Sequence, residues 1–158
     1  VLNDLTVLAT HALASTARRE SAGRIIQFFD DVVTTHHREE ETDLFPAVLA
    51  DAIGDEERTK VARLIDQLVN EHRRVEREYA HLLPYLADIT HDGKAPLDAS
   101  ATATLVTDYL AHARFEEEAF LPLAQTILGR NSNHMAALGL SLHIRHATDD
   151  VRRRFGFI

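Results

Sequence analysis

The chain has 158 residues, 45 % hydrophobic and 27 % charged, with a formal net charge of −8, which fits one globular domain large enough to bury a core. The acidic balance argues against nucleic acid or an anionic membrane as a partner, and no apolar run approaches the ~20 residues of a membrane span. The chain contains no cysteine, which excludes disulfides, thiolate catalysis and sulfur-ligated metals, so any metal must be held by nitrogen and oxygen.

Six glycines and four prolines offer little turn material, and helical periodicity runs through the chain. A first helix is predicted over about 1–18, with Leu2, Leu5, Leu8, Ala12 and Leu13 on one side. A second covers about 21–52 and carries Ile25, Ile26, Phe29, Val32 and Val33, until Gly54-Asp55 breaks the pattern. A third, over about 55–90, carries Val61, Leu64, Leu68, Val75, Tyr79, Leu82 and Leu86, and ends in the loop His91-Asp92-Gly93-Lys94-Ala95-Pro96. A fourth spans about 98–128, and a fifth, weakly amphipathic helix covers about 134–154 with Arg152-Arg153-Arg154 as a favourable cationic end. Pro46 and Pro122 fall inside helical patterns, so a kink or break is expected near each.

These elements predict an all-α, up-down-up-down four-helix bundle with an additional C-terminal helix. They form a single domain over 1–158, the bundle taking about 1–129 and the last helix about 132–154. In such a bundle the second and fourth helices run parallel and sit diagonally opposite.

Both of those helices carry one pattern. His36-His37-Arg38-Glu39-Glu40-Glu41-Thr42-Asp43-Leu44-Phe45-Pro46 returns 76 residues later as His112-Ala113-Arg114-Phe115-Glu116-Glu117-Glu118-Ala119-Phe120-Leu121-Pro122, with five of eleven positions identical. A His and a Glu four apart lie one above the other on a helix face, so His36 with Glu40, and His112 with Glu116, can aim at one spot. One such pair is ordinarily a solvated, charged face. Repetition at matched positions changes the reading, and so does the wheel, on which His36 lies near the centre of its apolar arc and Glu40 roughly 40° away. His72 lies roughly 20° from the centre of the arc on the third helix, and His112 and Glu116 straddle the edge of theirs. An unpartnered buried Glu costs several kcal/mol, whereas a metal pair turns that cost into binding energy.

Other charged residues read as bland. Glu76 is either an extra ligand or, more simply, a salt-bridge partner for Arg73 or its basic neighbours, and His37, Glu41 and Glu117 flank the ligands and point away, as groups that support the ligands from behind or lie on the surface. His81, His91, His134, His143 and His146 have no matched carboxylate on an apolar face and belong to the surface or to helix contacts.

The chain resembles the hemerythrin-like, or HHE cation-binding, family. The resemblance rests on His36-His37-x-x-Glu40-Glu41 before Leu44-Phe45-Pro46, on Glu71-His72, and on His112-x-x-x-Glu116-Glu117 before Leu121-Pro122. It implies a bundle with a non-haem di-iron centre, with His36 and His112 as terminal ligands, Glu40 and Glu116 as bridging carboxylates and His72 as the third-helix ligand. Two departures stand out. Oxygen-carrying hemerythrins have a second His four residues after the third-helix His, where this chain has Glu76. They also use an aspartate a little further along the fourth helix than Glu116. The richer carboxylate set favours ferric iron and argues against reversible oxygen carriage. The family also implies a first-helix His. His11 is near that place but lies roughly 130° from the middle of its apolar stripe, so the ligand is expected upstream of Val1.

The functional expectation is a cytoplasmic protein with two iron ions that binds a small diatomic ligand such as oxygen, for sensing, scavenging or iron handling. Manganese and zinc accept the same donor types. Phe29, Val33, Leu68 and Tyr109 are expected to wall the pocket. The alternatives are a di-iron oxidase, a nitric-oxide or cluster-repair enzyme, and a metal-stabilised interaction module whose last helix docks a second copy or a protein partner.

Overall fold

The structure, a computed structural model, describes residues 1–10, 15–94 and 96–130. Four helices make up the secondary structure of these residues, with no strand among them: α1 (Leu2–Ala9), α2 (15–51), α3 (Gly54–Thr90) and α4 (99–128). α1 and α3 each pack on both α2 and α4, so α2 and α4 take opposite corners of an all-α bundle, as expected. Beyond the reach of α1, the ends of α2 and α4 close on each other directly, with Phe45 edge-on to Phe120 at 5.1 Å. The expected fifth helix lies outside the described residues, as do His11, His134, His143, His146 and Arg152-Arg153-Arg154. No described helix is long and apolar enough to cross a membrane.

The first helix boundary differs from expectation. α1 ends at Ala9 and α2 has begun by Ser15, so Arg18 and Ser21 both belong to the second helix. Ser21 and Ala22 resemble turn material, yet both are buried, Ala22 in one cluster with Leu2, Leu5 and Leu8. Small side chains fill a tight seam between helices here.

Three π-helical turns interrupt the rods: Phe28–Val33 and Glu40–Leu44 in α2, and Glu116–Phe120 in α4. Each inserts one residue into the α repeat and so rotates the residues beyond it by about 100° on the helical wheel. The last two stand directly before Pro46 and Pro122. There the N–H of Phe45 donates to the carbonyl of Glu40, and that of Leu121 to the carbonyl of Glu116, five residues back. A proline ring clashes with the carbonyl four residues back in a regular helix. The wider turn relieves that clash, and both helices continue past their prolines instead of breaking.

Short, specific connections hold the rods in place. Gly54, at φ +74, adopts the left-handed conformation that a Cβ resists and turns the chain into α3. Glu57 accepts from the Ile53 N–H at 2.8 Å and from both terminal nitrogens of Arg130 at 2.7 Å, fastening the end of α4 to the start of α3. Asp98 caps α4 by accepting from the N–H groups of Ser100 and Ala101 at 2.8 and 3.1 Å.

Two apolar clusters fill the interior. One gathers Leu2, Leu5, Leu8, Ile25, Phe28, Phe29, Val33, Val75 and Leu105, and the other Leu44, Phe45, Val48, Leu68, Phe120 and Ile127. Between them, at one level of α2, α3 and α4, lie His37, Glu40, His72, His112 and Glu116, each at most 5 % exposed.

Candidate metal centre

All five residues singled out by the sequence, His36, Glu40, His72, His112 and Glu116, come to this midsection, and His37 joins them. They form two groups, His37/His72/His112 and His36/Glu40/Glu116, within each of which one ligand-type atom per residue lies within 4.8 Å of the others. The placement of His37 corrects the expectation that it points away. The π turn Phe28–Val33 accounts for it: the extra residue shifts the buried arc by one position between Ile25 and the motif. His37 is therefore 1 % exposed, while the His36 side chain, expected at the centre of the arc, stays 24 % exposed.

In the imidazole group every ring is held from behind by a carboxylate. Nδ1 of His37 meets Glu76 at 3.1 Å, that of His72 meets Glu41 at 2.8 Å, and that of His112 meets Glu71 at 3.2 Å. A carboxylate accepts, so each Nδ1–H donates and the lone pair is fixed on Nε2. Nε2 of His37 and of His72 has no hydrogen-bond partner among the described residues. The His37 and His72 rings stack 3.8 Å apart and 6° from parallel, and His112 stands edge-on to both. Burial, then the neighbouring His72 and His112 rings, lowers the pKa of His37 to about 2. Burial also lowers His72 and His112, the latter with help from His72. Arg73 pairs with both Glu41 and Glu76, bracing two of the three holders. Glu76 is thus the expected salt-bridge partner of Arg73 and a holder of His37 as well.

The other group is anionic. Glu40 places Oε1 3.3 Å from His36 Nε2 and Oε2 3.2 Å from His72 Nε2, so one carboxylate reaches into both groups. Glu116 Oε2 lies 3.7 Å from His36 Nε2. Both Glu40 oxygens and Glu116 Oε1 lack a hydrogen-bond partner among the described residues. Burial, then the charge of Glu116, pushes Glu40 well above the usual carboxylate range. Burial alone would raise Glu116 too, but His36 beside it holds it low. His36 is itself raised to about 9, because Glu116 and Glu40 outweigh the burial that would lower it.

The donor set fits a cation. A buried polar atom without a partner costs roughly 1–3 kcal/mol, and a polar core built for hydrogen bonding alone pairs its atoms. Here His37 Nε2, His72 Nε2, both Glu40 oxygens and Glu116 Oε1 go unpaired at one level of the bundle. Lone pairs on nitrogen and oxygen suit iron, manganese or zinc.

Phe29, Val33 and Leu68 border the level as buried apolar residues, and Tyr109 packs edge-on to Phe28 and Phe29 at 5.9 and 6.1 Å. Glu117, His81 and His91 are exposed, as expected. The family model for the hemerythrin HHE cation binding domain matches residues 1–124, which include both donor groups. No curated protein and no solved structure matches the chain.

Proposed function

Because the chain belongs to the hemerythrin HHE cation-binding family, we propose that it holds two iron ions at the bundle midsection and presents them to oxygen or a related small oxidant, for sensing, scavenging or iron handling. The observation that carries this reading is the set of buried, unpartnered lone pairs on α2, α3 and α4. His36, Glu40 and Glu116 would hold one ion, and His72 and His112 the other. Glu40 offers one oxygen to each side. Such a pair, when bound, supplies Lewis acidity and reducing equivalents for a diatomic oxidant.

The surrounding residues set the conditions. The apolar clusters above and below exclude water and so strengthen every charge interaction in the layer. His36, at 24 % side-chain exposure, marks the side from which a small molecule reaches the site. Tyr109 keeps its proton, since burial, then the charges of Glu116 and Glu40, push its pKa up. Two anionic ligands favour the ferric state, which suits a one-way response to oxidant better than reversible carriage.

Anaerobic reconstitution of the purified protein with ferrous iron tests the proposal. Two iron ions per chain, and a change in the near-ultraviolet spectrum on admitting oxygen, are expected. Less than one iron per chain, or a spectrum indifferent to oxygen, would count against it.

A further inference from the structure

We infer that His37 is a metal ligand, completing a position made of three neutral imidazoles to which α3 contributes only one ring. The inference rests on the two-ion reading above and adds a ligand at a position the two copies of the motif do not share, since the second copy has Ala113 there. On α3 the residue one turn beyond His72, on the same face, is Glu76. Its Oε1 meets His37 Nδ1 at 3.1 Å and its Oε2 meets Arg73 at 3.0 Å. Both oxygens are thereby engaged away from the imidazole group. Glu76 acts as the holder that aims a ring from the neighbouring helix.

A histidine kept only for packing would satisfy both ring nitrogens or face water. His37 does neither: it is 1 % exposed and its Nε2 has no hydrogen-bond partner among the described residues. Its ring lies parallel to that of His72 at 3.8 Å, and both rings carry their proton on the Nδ1 that faces a carboxylate. One ring nitrogen from each of His37, His72 and His112 lies within 4.8 Å of the others. Three imidazoles add no charge, so an ion held by them keeps its full positive charge. That favours a divalent, borderline-soft cation such as ferrous iron or zinc over a trivalent one.

The test is titration of the metal-free protein with cobalt(II) under argon, read by equilibrium dialysis and by the visible bands of bound cobalt. The wild type is expected to take up two equivalents. His37→Leu keeps an apolar side chain of similar size in the core. It should keep one equivalent and bind the second roughly 100-fold more weakly, the upper end of what even an outer-shell loss costs. Its metal-free form should melt no lower than the wild type, because an unpartnered buried nitrogen has gone. Glu76→Gln, which leaves the ring in place and weakens its holder, should weaken the second equivalent roughly tenfold and covers the case in which His37→Leu fails to fold. Two equivalents bound with wild-type affinities by the folded variants would overturn the inference. A wild type that takes up no cobalt would instead overturn the two-ion reading beneath it.

Discussion

The two donor groups share one layer of the bundle and nearly the same depth, yet they are built as opposites. In His37/His72/His112 the rings are neutral and each proton is drawn outward, onto Nδ1, by a carboxylate on α2 or α3. In His36/Glu40/Glu116 the carboxylates turn inward and the imidazole between them is held protonated up to about 9. What differs is the direction in which each acid faces. An acid behind the ring makes a neutral nitrogen donor, and an acid beside it makes an anionic site. Glu40 joins the two, with one oxygen toward each.

If that contrast is right, substitutions should separate the two positions in a set order. Glu40→Ala removes the shared group and is expected to abolish stoichiometric loading at both, an effect of the order of 3–5 kcal/mol, as for stripping one partner from a buried charge pair. Glu116→Ala should empty the anionic position and leave the imidazole one filled, so metal analysis should read one ion where Glu40→Ala reads none. Chelation of the loaded protein should lower its melting free energy by about 2.7 kcal/mol per ion if free metal stood at a hundredfold excess over Kd, as a calorimetric melt would show. Glu41→Gln and Glu71→Gln weaken holders of the imidazole group alone and should lower affinity there about 10- to 100-fold, with the anionic position unmoved.

Proton linkage sharpens the same comparison. A cation entering the anionic group displaces the proton that His36 keeps up to about 9. Affinity there should rise with pH, about tenfold per unit for one proton, up to that value. The imidazole group has little to displace above the ordinary histidine range, since His37 sits at about 2 and its two neighbours are lowered. Its affinity should be nearly flat from neutrality upward, and isothermal titration at several pH values would resolve the two behaviours. The metal-free protein carries the matching signature. The folded pKa of His36 lies above its unfolded value of 6.5, so its contribution to stability is full below 6.5 and fades as pH rises through about 9. Glu40, also raised, acts in the same direction, its contribution being full below the ordinary carboxylate value and fading as pH rises. Melting of the metal-free form against pH checks the sign.

Much of this is legible in the residues. Repetition of His-x-x-x-Glu before a proline brings His36, Glu40, His112 and Glu116 forward, and a single wheel suffices for His72, because α3 is one uninterrupted helix over Gly54–Thr90. His37 is lost to a wheel that assumes a uniform repeat through Phe28–Val33, where the backbone inserts a residue. The paired apolar residues Phe28-Phe29 and Val32-Val33 are the trace of that insertion, since the buried stripe changes sides there. Which ring each of Glu41, Glu71 and Glu76 holds is not legible, for another reason. Their side chains are 14–30 % exposed, so nothing in composition separates them from surface acids. Only the ring nitrogen across the helix interface does. The early end of α1 escapes notice because small residues that fill a seam look like residues that make a turn.

Anomalous diffraction at the iron absorption edge, from crystals of the iron-loaded protein, tests the central claim most directly. Two anomalous peaks per chain are expected, one ringed by His37, His72 and His112 and the other by His36, Glu40 and Glu116, with the Glu40 carboxylate between them. A single peak, or density away from these side chains, would contradict the account.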